Sequence, residues 1–220
     1  MNYHFKTARK NMIDGQLRPN RITQPDLLEA LSSTPRELFV PPLCRKASYS
    51  DGDIDVGNGR YIMNALVLAW LVQAADIKKT DVVLDIGCST GYSTAILAAL
   101  ASTVIGIENN HDQAHQADPI LRDLGILNAV IIEEQNIQNG YGRQAPYDVI
   151  LLNGSVPRIP DTLKNQMADG GRLVAVISQN NHSGSGVLLT RHGDKYASTH
   201  LFDAYVEPLA EFREPKAFVL

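Results

Sequence analysis

From Asp81 onward, short apolar segments alternate with segments of helical periodicity, and this alternation restricts the fold more than any other feature of the chain. The apolar segments are VVLDIG, TVIGIE, AVIIEE, YDVILLNG and GGRLVAVIS. Their lack of polar residues is typical of strands that are buried on both faces. Because helical patterns such as GYSTAILAALA lie between them, we predict a mostly parallel sheet with helices on both sides.

The segments before and after this alternation complete the predicted fold. Residues 1–80 contain helical patterns, such as TQPDLLEALSS and NALVLAWLVQAADI, and a loop rich in Asp and Gly, YSDGDIDVGNGRY. The tail GVLLTRHGDKYASTHLFDAYVEPL alternates loosely around a turn, which predicts antiparallel strands at the sheet edge. We therefore predict an α/β, Rossmann-like, doubly wound fold. It has a mostly parallel seven-stranded sheet, an antiparallel C-terminal edge and an N-terminal helical extension. Residues 1–80 form that extension, and residues 81–220 form the core of one globular unit.

Composition argues against several classes of function. The net charge is −4, and no stripe of Lys and Arg indicates a nucleic-acid partner. The longest apolar stretch, ALVLAWLVQAA, is too short to span a bilayer, and the first residues lack the apolar region of a signal peptide. The only cysteines, Cys44 and Cys88, are far apart, which indicates a reducing compartment. We expect a cytoplasmic protein that binds neither nucleic acid nor membranes.

The segment VVLDIGCSTGYSTAIL allows two chemical interpretations. Its central G-x-S-x-G would make Ser89 the nucleophile of a serine hydrolase, but no oxyanion loop precedes it. Alternatively, its glycines form a loop that lets a nucleotide lie against the backbone. That hypothesis predicts an acid at the end of the next strand to hold a ribose, and Glu108 ends TVIGIE. Although Glu108 could simply begin a helix, its place one strand after the loop favours a cofactor site.

The charge around the glycine loop indicates which cofactor it binds. The loop has neither the G-x-G-x-x-G spacing of a dinucleotide site nor the G-K-[ST] of a P-loop. Asp85 lies two residues before Gly87, where a carboxylate would repel phosphates and attract an ammonium or sulfonium group. S-adenosylmethionine carries both cations and offers a ribose to Glu108. The sequence therefore favours S-adenosylmethionine over NAD or ATP.

Four blocks of the chain, in the same order, resemble the protein-L-isoaspartate O-methyltransferase family, a group of class I S-adenosylmethionine-dependent methyltransferases. The blocks are QLRPNRITQPDLLEALSSTPRELFVPP, YSDGDIDVGNGRYI, VLDIGCSTGYSTAILA and APYDVILLNGSVPRIPDTLKNQMADGGRLVAVI. The second is similar to the family's G-x-G-[QR] turn, and the third to its VLEIGxGSGY motif. The resemblance implies methylation of isoaspartyl residues in a protein or peptide substrate, which is a repair activity. Residues 1–80 would be the helical extension with the substrate loop, and residues 81–220 would be the S-adenosylmethionine-binding methyltransferase core.

The resemblance also assigns residues to the site. It implies that the loop lines the methionine side of the cofactor, that Glu108 holds the ribose and that Asn136 lies near the adenine. Asn153 would lie at the mouth of the site, near the reacting groups. The expected cofactor-binding residues are Asp85, Gly87, Cys88, Ser89, Gly91, Tyr92, Glu108, Asn109, Asn136, Ile137 and Asn153. The expected substrate-binding residues are Ile62, Met63 and Asn64.

The chain departs from the family pattern at several positions. Ser89 stands where the family has the middle glycine of its loop, a change we expect to be tolerated if the backbone there avoids positive φ. Met63 stands where the family has a serine that helps to position the accepting carboxylate, and Met cannot donate a useful hydrogen bond. Three alternatives follow. Asn64 replaces that serine as the catalytic residue, the acceptor is a different one, or the chain binds the cofactor without catalysis.

Two further patterns resemble metal sites. Asp51, Asp53 and Asp55 imitate the start of an EF-hand, but the required glycine and glutamate are missing, so we expect a solvated loop. His111 and His115 have the i,i+4 spacing of helical metal ligands, but no third ligand is apparent in the sequence nearby. We therefore predict no metal site.

Overall fold

The computed structural model describes residues 4–180 and 183–213, with positions 179 and 180 described by their backbone alone. The α-helices in this range are α1 (Phe5–Met12), α2 (Pro25–Ser33), α3 (Ala65–Ala75), α4 (Tyr92–Leu100), α5 (His111–Asp123) and α6 (Asp161–Lys164). The strands are β1 (Ile54–Gly57), β2 (Arg60–Ile62), β3 (Val82–Ile86), β4 (Thr103–Glu108), β5 (Ala129–Glu133), β6 (Tyr147–Val156), β7 (Met167–Asn180), β8 (Ser183–His192) and β9 (Lys195–Asp203). No helix among the described residues has the length and apolar character needed to cross a membrane.

Strands β3 to β9 form one seven-stranded sheet in the order β5-β4-β3-β6-β7-β8-β9. The five strands β3 to β7 are mutually parallel, whereas β7–β8 and β8–β9 pair antiparallel. The predicted fold class is therefore confirmed, including the antiparallel C-terminal edge. Because β3, β4 and β6 run parallel side by side, their carboxyl ends meet at one edge of the sheet.

Apolar clusters pack on the sheet and hold it between helices. One cluster combines residues of α2, α3 and α4 with sheet residues; among its members are Leu31, Leu68, Leu71, Leu97 and Val104. The other contains Leu163 of α6 together with residues that follow β5 and β9, among them Ile137, Leu209 and Phe212. Since the first cluster includes residues from both sides of position 80, the extension and the core share buried surface. The division at residue 80 stays a prediction.

The segment predicted as an Asp- and Gly-rich loop contains a β-hairpin. Strands β1 and β2 pair antiparallel around Asn58 and Gly59, whose φ angles are 55° and 72°. Asn-Gly is a preferred pair for a tight hairpin turn in which both central residues have positive φ. The loop prediction was therefore wrong. It overlooked the Asn-Gly turn signal, and the strands on either side of the turn are short. The hairpin places Arg60 at the first position of β2.

Residues 206–212, here named the C-terminal strap, cross the carboxyl-end edge of the sheet. Its Leu209 N–H donates to the Ser155 carbonyl of β6 (3.0 Å), and Ser155 N–H donates to the Glu207 carbonyl (3.0 Å). Glu207 N–H also donates to Asp53 Oδ2 (2.8 Å). The strap therefore joins the sheet to the hairpin region across the crevice where open α/β sheets bind ligands.

Candidate functional site

The loop between β3 and α4 has an unusual backbone. Gly87, Ser89 and Gly91 have φ angles of 70°, 53° and 90°. The condition under which we expected a serine to be tolerated here is therefore not met, and Ser89 adopts a conformation that side chains disfavour. Its hydroxyl donates to Gln113 Oε1 (3.1 Å). Because its partner is an amide oxygen and not a histidine, the arrangement gives no support to a serine nucleophile.

Asp85 joins β3 to the first turn of α4 and to β6. It is completely buried near the end of β3. Its Oδ2 accepts hydrogen bonds from Ser93 Oγ (2.6 Å) and Thr94 Oγ1 (2.7 Å), and its Oδ1 accepts one from Asn153 Nδ2 (3.1 Å). Desolvation raises the pKa of this carboxyl to about 6, although the three hydrogen bonds act in the opposite direction. Two residues expected at the cofactor site, Asp85 and Asn153, are thus joined to each other.

Glu108 lies beside the same loop, one strand away. It is completely buried at the end of β4. Its Oε2 accepts the Ser89 N–H (2.9 Å), while its Oε1 accepts the Asn110 N–H (2.9 Å) and Arg60 Nε (2.8 Å). The structure therefore brings the predicted ribose acid against the predicted loop. Its role in holding a ribose stays a prediction.

Arg60 was not predicted as a site residue. Its side chain is only 4% exposed and binds Glu211 Oε2 (3.1 Å) and Asn109 Oδ1 (2.5 Å) in addition to Glu108. Asn109 Nδ2 donates to Glu211 Oε1 (2.7 Å), which closes a network that we name the Arg60 cluster (Arg60, Glu108, Asn109 and Glu211). Burial lowers the pKa of Arg60, but the two carboxylates outweigh it and leave the pKa raised. The one available signal was its place in the G-x-G-[QR] turn.

The strap packs against the loop between β3 and α4. A Cβ atom built on Gly87 would lie 2.7 Å from Leu209 Cδ2, so a side chain at position 87 would collide with the strap. Phe212 is buried in the same apolar cluster as Leu209 and Ile137. Asn136, which was expected near the adenine, is exposed, and its N–H donates to Glu134 Oε1 (3.1 Å). Ile137, the next expected cofactor-binding residue, is buried. The crevice is therefore filled by side chains of the protein itself.

A narrow cavity of about 10 Å³, barely room for one water molecule, lies beside the loop. It brings together six residues expected at the site, namely Ile62, Met63, Cys88, Ser89, Tyr92 and Asn153. Met63 is buried, and its carbonyl accepts a hydrogen bond from Arg36 Nη2 (2.7 Å). Burial raises the pKa of the Cys88 thiol, so this cysteine has the character of a small packed side chain.

Asn64 is held by structural contacts. Its Oδ1 accepts the Leu66 N–H (2.8 Å), which caps α3, and its Nδ2 donates to Asp51 Oδ1 (2.9 Å). Its own N–H donates to Asp53 Oδ1 (2.6 Å). Burial raises the pKa of Asp53, which is half-buried between Asn64 and the strap. The acidic loop is therefore not simply solvated, and the role of Asn64 in catalysis stays a prediction.

Comparison with known proteins identifies the family of this chain. The family model described as protein-L-isoaspartate(D-aspartate) O-methyltransferase matches residues 7–206. The chain belongs to this family. Protein-L-isoaspartate O-methyltransferases from Methanospirillum hungatei and Methanoregula boonei are 34% and 35% identical to it. The match to the Methanospirillum hungatei protein covers 86% of this chain and 87% of that relative. The match to the Methanoregula boonei protein covers 94% of each chain.

Solved structures share the fold of this protein-L-isoaspartate O-methyltransferase family member. One is a Plasmodium falciparum chain described as a protein-L-isoaspartate O-methyltransferase in complex with S-adenosyl-L-homocysteine; its TM-score is 0.77 at 19% identity, over 96% of this chain and all of that one. Another, described by the same enzyme name, has a TM-score of 0.78 at 20% identity, and the match covers 91% of this chain. This chain spans 65% of that longer chain.

Proposed function

We propose that this chain methylates the α-carboxylate of L-isoaspartyl residues in proteins or peptides, with S-adenosylmethionine as methyl donor. Its membership of the family supports this activity. One contact carries the proposal. It joins the loop between β3 and α4 to Glu108, whose carboxylate accepts the Ser89 N–H at 2.9 Å. This contact joins the two elements that an adenosine-containing cofactor requires, a close backbone and a ribose acceptor.

The donor set of the site fits S-adenosylmethionine. Gly87 presents bare backbone to the crevice, and a Cβ there would lie 2.7 Å from Leu209 Cδ2 of the strap, which would have to move for the cofactor to approach. Glu108 offers carboxylate oxygens for ribose hydroxyls, and Asp85 contributes negative charge beneath the loop where a cationic sulfonium is favoured. We propose that the loop, Asp85 and Glu108 hold the cofactor, with Asn109, Asn136 and Ile137 on its adenosine side.

Methyl transfer to a carboxylate requires little of the protein beyond positioning the reacting groups and excluding water. When bound, S-adenosylmethionine supplies a methyl group whose bond to sulfur breaks, leaving the electron pair on sulfur, as an acceptor oxygen bonds to the carbon. An acceptor carboxyl has a pKa of roughly 4, so it is already ionised at neutral pH and no base is required. The buried walls formed by Met63 and Tyr92 would exclude water from that oxygen.

We propose that cofactor binding rearranges the Arg60 cluster. Arg60 Nε occupies Glu108 Oε1 at 2.8 Å, so a ribose hydroxyl reaches that oxygen only after the guanidinium moves away. Glu211 holds Arg60 from the strap, and Leu209 of the strap contacts the loop. We therefore propose that the strap and Arg60 move together when S-adenosylmethionine enters.

The activity is tested with methyl-labelled S-adenosylmethionine and an isoaspartyl peptide beside its normal aspartyl twin. We expect base-labile label on the isoaspartyl peptide alone, because a methyl ester hydrolyses in base. Measurable cofactor binding without labelling of this peptide would overturn the proposed acceptor. Failure to bind S-adenosylmethionine at all would overturn the cofactor assignment as well.

The ribose role of Glu108 is tested by Glu108→Gln and Glu108→Ala. Loss of hydrogen bonds to a charged group costs about 1.5–3 kcal/mol, so cofactor affinity should fall by roughly 10- to 100-fold. Glu29→Ala on the exposed face of α2 is the control and should bind normally. Calorimetric titration gives the affinities, and circular dichroism verifies that each variant is folded. Unchanged affinity in Glu108→Gln would remove the ribose role.

Met63 favours a second candidate function, methylation of a different acceptor. This buried thioether stands at the cavity beside the loop, where the family has a serine, and the Asn64 amide already caps α3. Protein digests incubated with the labelled cofactor would then carry label on another group. A cofactor-binding protein without catalysis is the remaining alternative, and binding without any labelled product would identify it.

The proposed setting of the protein is the cytoplasm, with protein or peptide substrates and without nucleic acid or membrane partners. Both cysteines are free, as expected in a reducing compartment. The net charge of −4 is consistent with the absence of a nucleic-acid partner. Fractionation of cells that express the untagged protein tests the location, and recovery in a membrane or secreted fraction would contradict it.

A further inference from the structure

Two histidines and a glutamate converge on the surface at the start of α5. His111 and His115 lie one turn apart on this helix, with ring centroids separated by 4.2 Å. Glu133, the last residue of β5, lies beside both rings. The sequence did not indicate this third group, because β5 ends eighteen positions after His115 along the chain. Glu133 is therefore a potential third ligand that was not apparent in the sequence.

The three side chains present their donor atoms to a common point. His111 Nδ1 lies 2.8 Å from Glu133 Oε2, and His115 Nε2 lies 3.9 Å from the same oxygen. One ligand atom from each residue lies within 4.8 Å of the others. Ligand atoms about 2.1 Å from a tetrahedral metal ion are roughly 3.3 Å apart. Small side-chain rotations would therefore bring all three into coordination.

The backbone that carries these ligands is fixed, whereas the side chains can adjust. Asn110 caps α5, with its Oδ1 accepting the Gln113 N–H (3.1 Å), and Glu134 N–H donates to the Glu108 carbonyl (2.9 Å) beside the end of β5. The side chains of His111, His115 and Glu133 are 66%, 68% and 36% exposed, so rotation requires no unpacking. Two imidazoles and one carboxylate on rigid elements are the ligand set of many zinc sites.

We propose that His111, His115 and Glu133 form a surface site for a divalent transition metal, with Zn²⁺ as the ion that the ligands suit best and water in the remaining position. Imidazole nitrogen favours Zn²⁺ and related ions, whereas Mg²⁺ and Ca²⁺ prefer oxygen ligands. A bound ion would cross-link the first turn of α5 to the end of β5. The site is independent of the methyl-transfer activity proposed above.

The test is calorimetric titration of the full chain without a polyhistidine tag, using ZnCl₂. We expect one ion per chain, and we expect His115→Ala and Glu133→Gln each to weaken binding by at least about tenfold, the smallest loss seen even for outer-shell partners of a metal. His200→Ala is the matched control, since His200 is also exposed and pairs with one carboxylate, Asp203, at 2.9 Å. That variant should bind like the unchanged protein.

A second measurement separates loss of the site from loss of folding. Saturating Zn²⁺ should raise the melting temperature of the unchanged protein, because the assembled site binds the ion more tightly than the unfolded chain does, and this rise should disappear in His115→Ala. Excess Mg²⁺ should not compete. Zinc held by the Cys44 thiol would survive His115→Ala, and such an outcome would overturn the proposal. Absence of saturable binding, or affinities within twofold across the variants, would overturn it equally.

Discussion

Ser89 combines a side chain with a backbone conformation that glycine adopts more easily. Its φ of 53° lies in the left-handed region, where a residue that carries a Cβ atom costs roughly 1–2 kcal/mol. The hydroxyl offsets part of this cost by donating to Gln113 Oε1. The serine therefore fits the loop through a side-chain contact that a glycine cannot make.

We predict that Ser89→Gly is more stable than Ser89→Ala by about 1 kcal/mol, because both lose the hydroxyl and only Gly relieves the left-handed strain. Urea unfolding measures the difference. Ser32, exposed in helix α2, provides the control pair, and there Ala should be the more stable replacement. Equal stabilities at position 89 would mean that the strain is absent.

Asp85 makes stability depend on pH. Its pKa rises from 3.8 in the unfolded chain to about 6 in the native state through desolvation. Between these values the native state keeps a proton that the unfolded chain releases, so the free energy of unfolding falls as pH rises through this window. Below it the carboxyl is protonated in both states, and above it in neither.

Asp85→Asn should remove this dependence. We expect the stability of the variant relative to the unchanged protein to increase by about 1 kcal/mol between pH 5 and pH 7.5. Urea titrations of both proteins at the two pH values provide the measurement. If the two proteins change in parallel, Asp85 has the same pKa in both states.

At the scale of elements, the proposed competition between the strap and the cofactor acts through Arg60. Replacing Glu211 by Gln removes one of the two carboxylates that hold the guanidinium, an interaction worth about 1 kcal/mol for a partly exposed pair. Arg60 should then leave Glu108 more easily, and S-adenosylmethionine affinity should rise about fivefold. Titration calorimetry measures this affinity.

Glu29→Gln is the control, because it makes the same change of charge on α2, and it should bind the cofactor as the unchanged protein does. An affinity of Glu211→Gln equal to that of the unchanged protein would show that Arg60 does not compete with the cofactor.

The sequence could predict the elements whose signals are local. Apolar runs identify strands β3 to β7, and the glycine loop with Glu108 follows from them because adjacent parallel strands end at the same edge. Arg60 and Glu211 could not be found in this way. A charged residue in a polar segment normally remains in solvent. Here Arg60 is buried and Glu211 half-buried, and each pairs with a partner far along the chain.

At the scale of the whole molecule, Trp70 reports whether the extension unfolds with the core. This single tryptophan donates from Nε1 to the Asn20 carbonyl (3.0 Å) and packs on Phe202 of β9 (4.7 Å between ring centroids). We predict coincident urea transitions by tryptophan fluorescence and far-ultraviolet circular dichroism, as expected for one cooperative unit. A fluorescence transition at lower urea would instead mean that residues 1–80 unfold separately.

The Arg60 cluster also bears on the order in which the protein folds. Arg60 and Glu211 are 151 positions apart, and the Asp53–Glu207 contact that supports the strap spans 154. Contacts of such long sequence separation close large loops and form after local helices and neighbouring strands have reduced that entropic cost. We therefore expect the β3–β4 unit with its glycine loop to form before the Arg60 cluster closes, so that Glu108 stays accessible until both distant segments arrive.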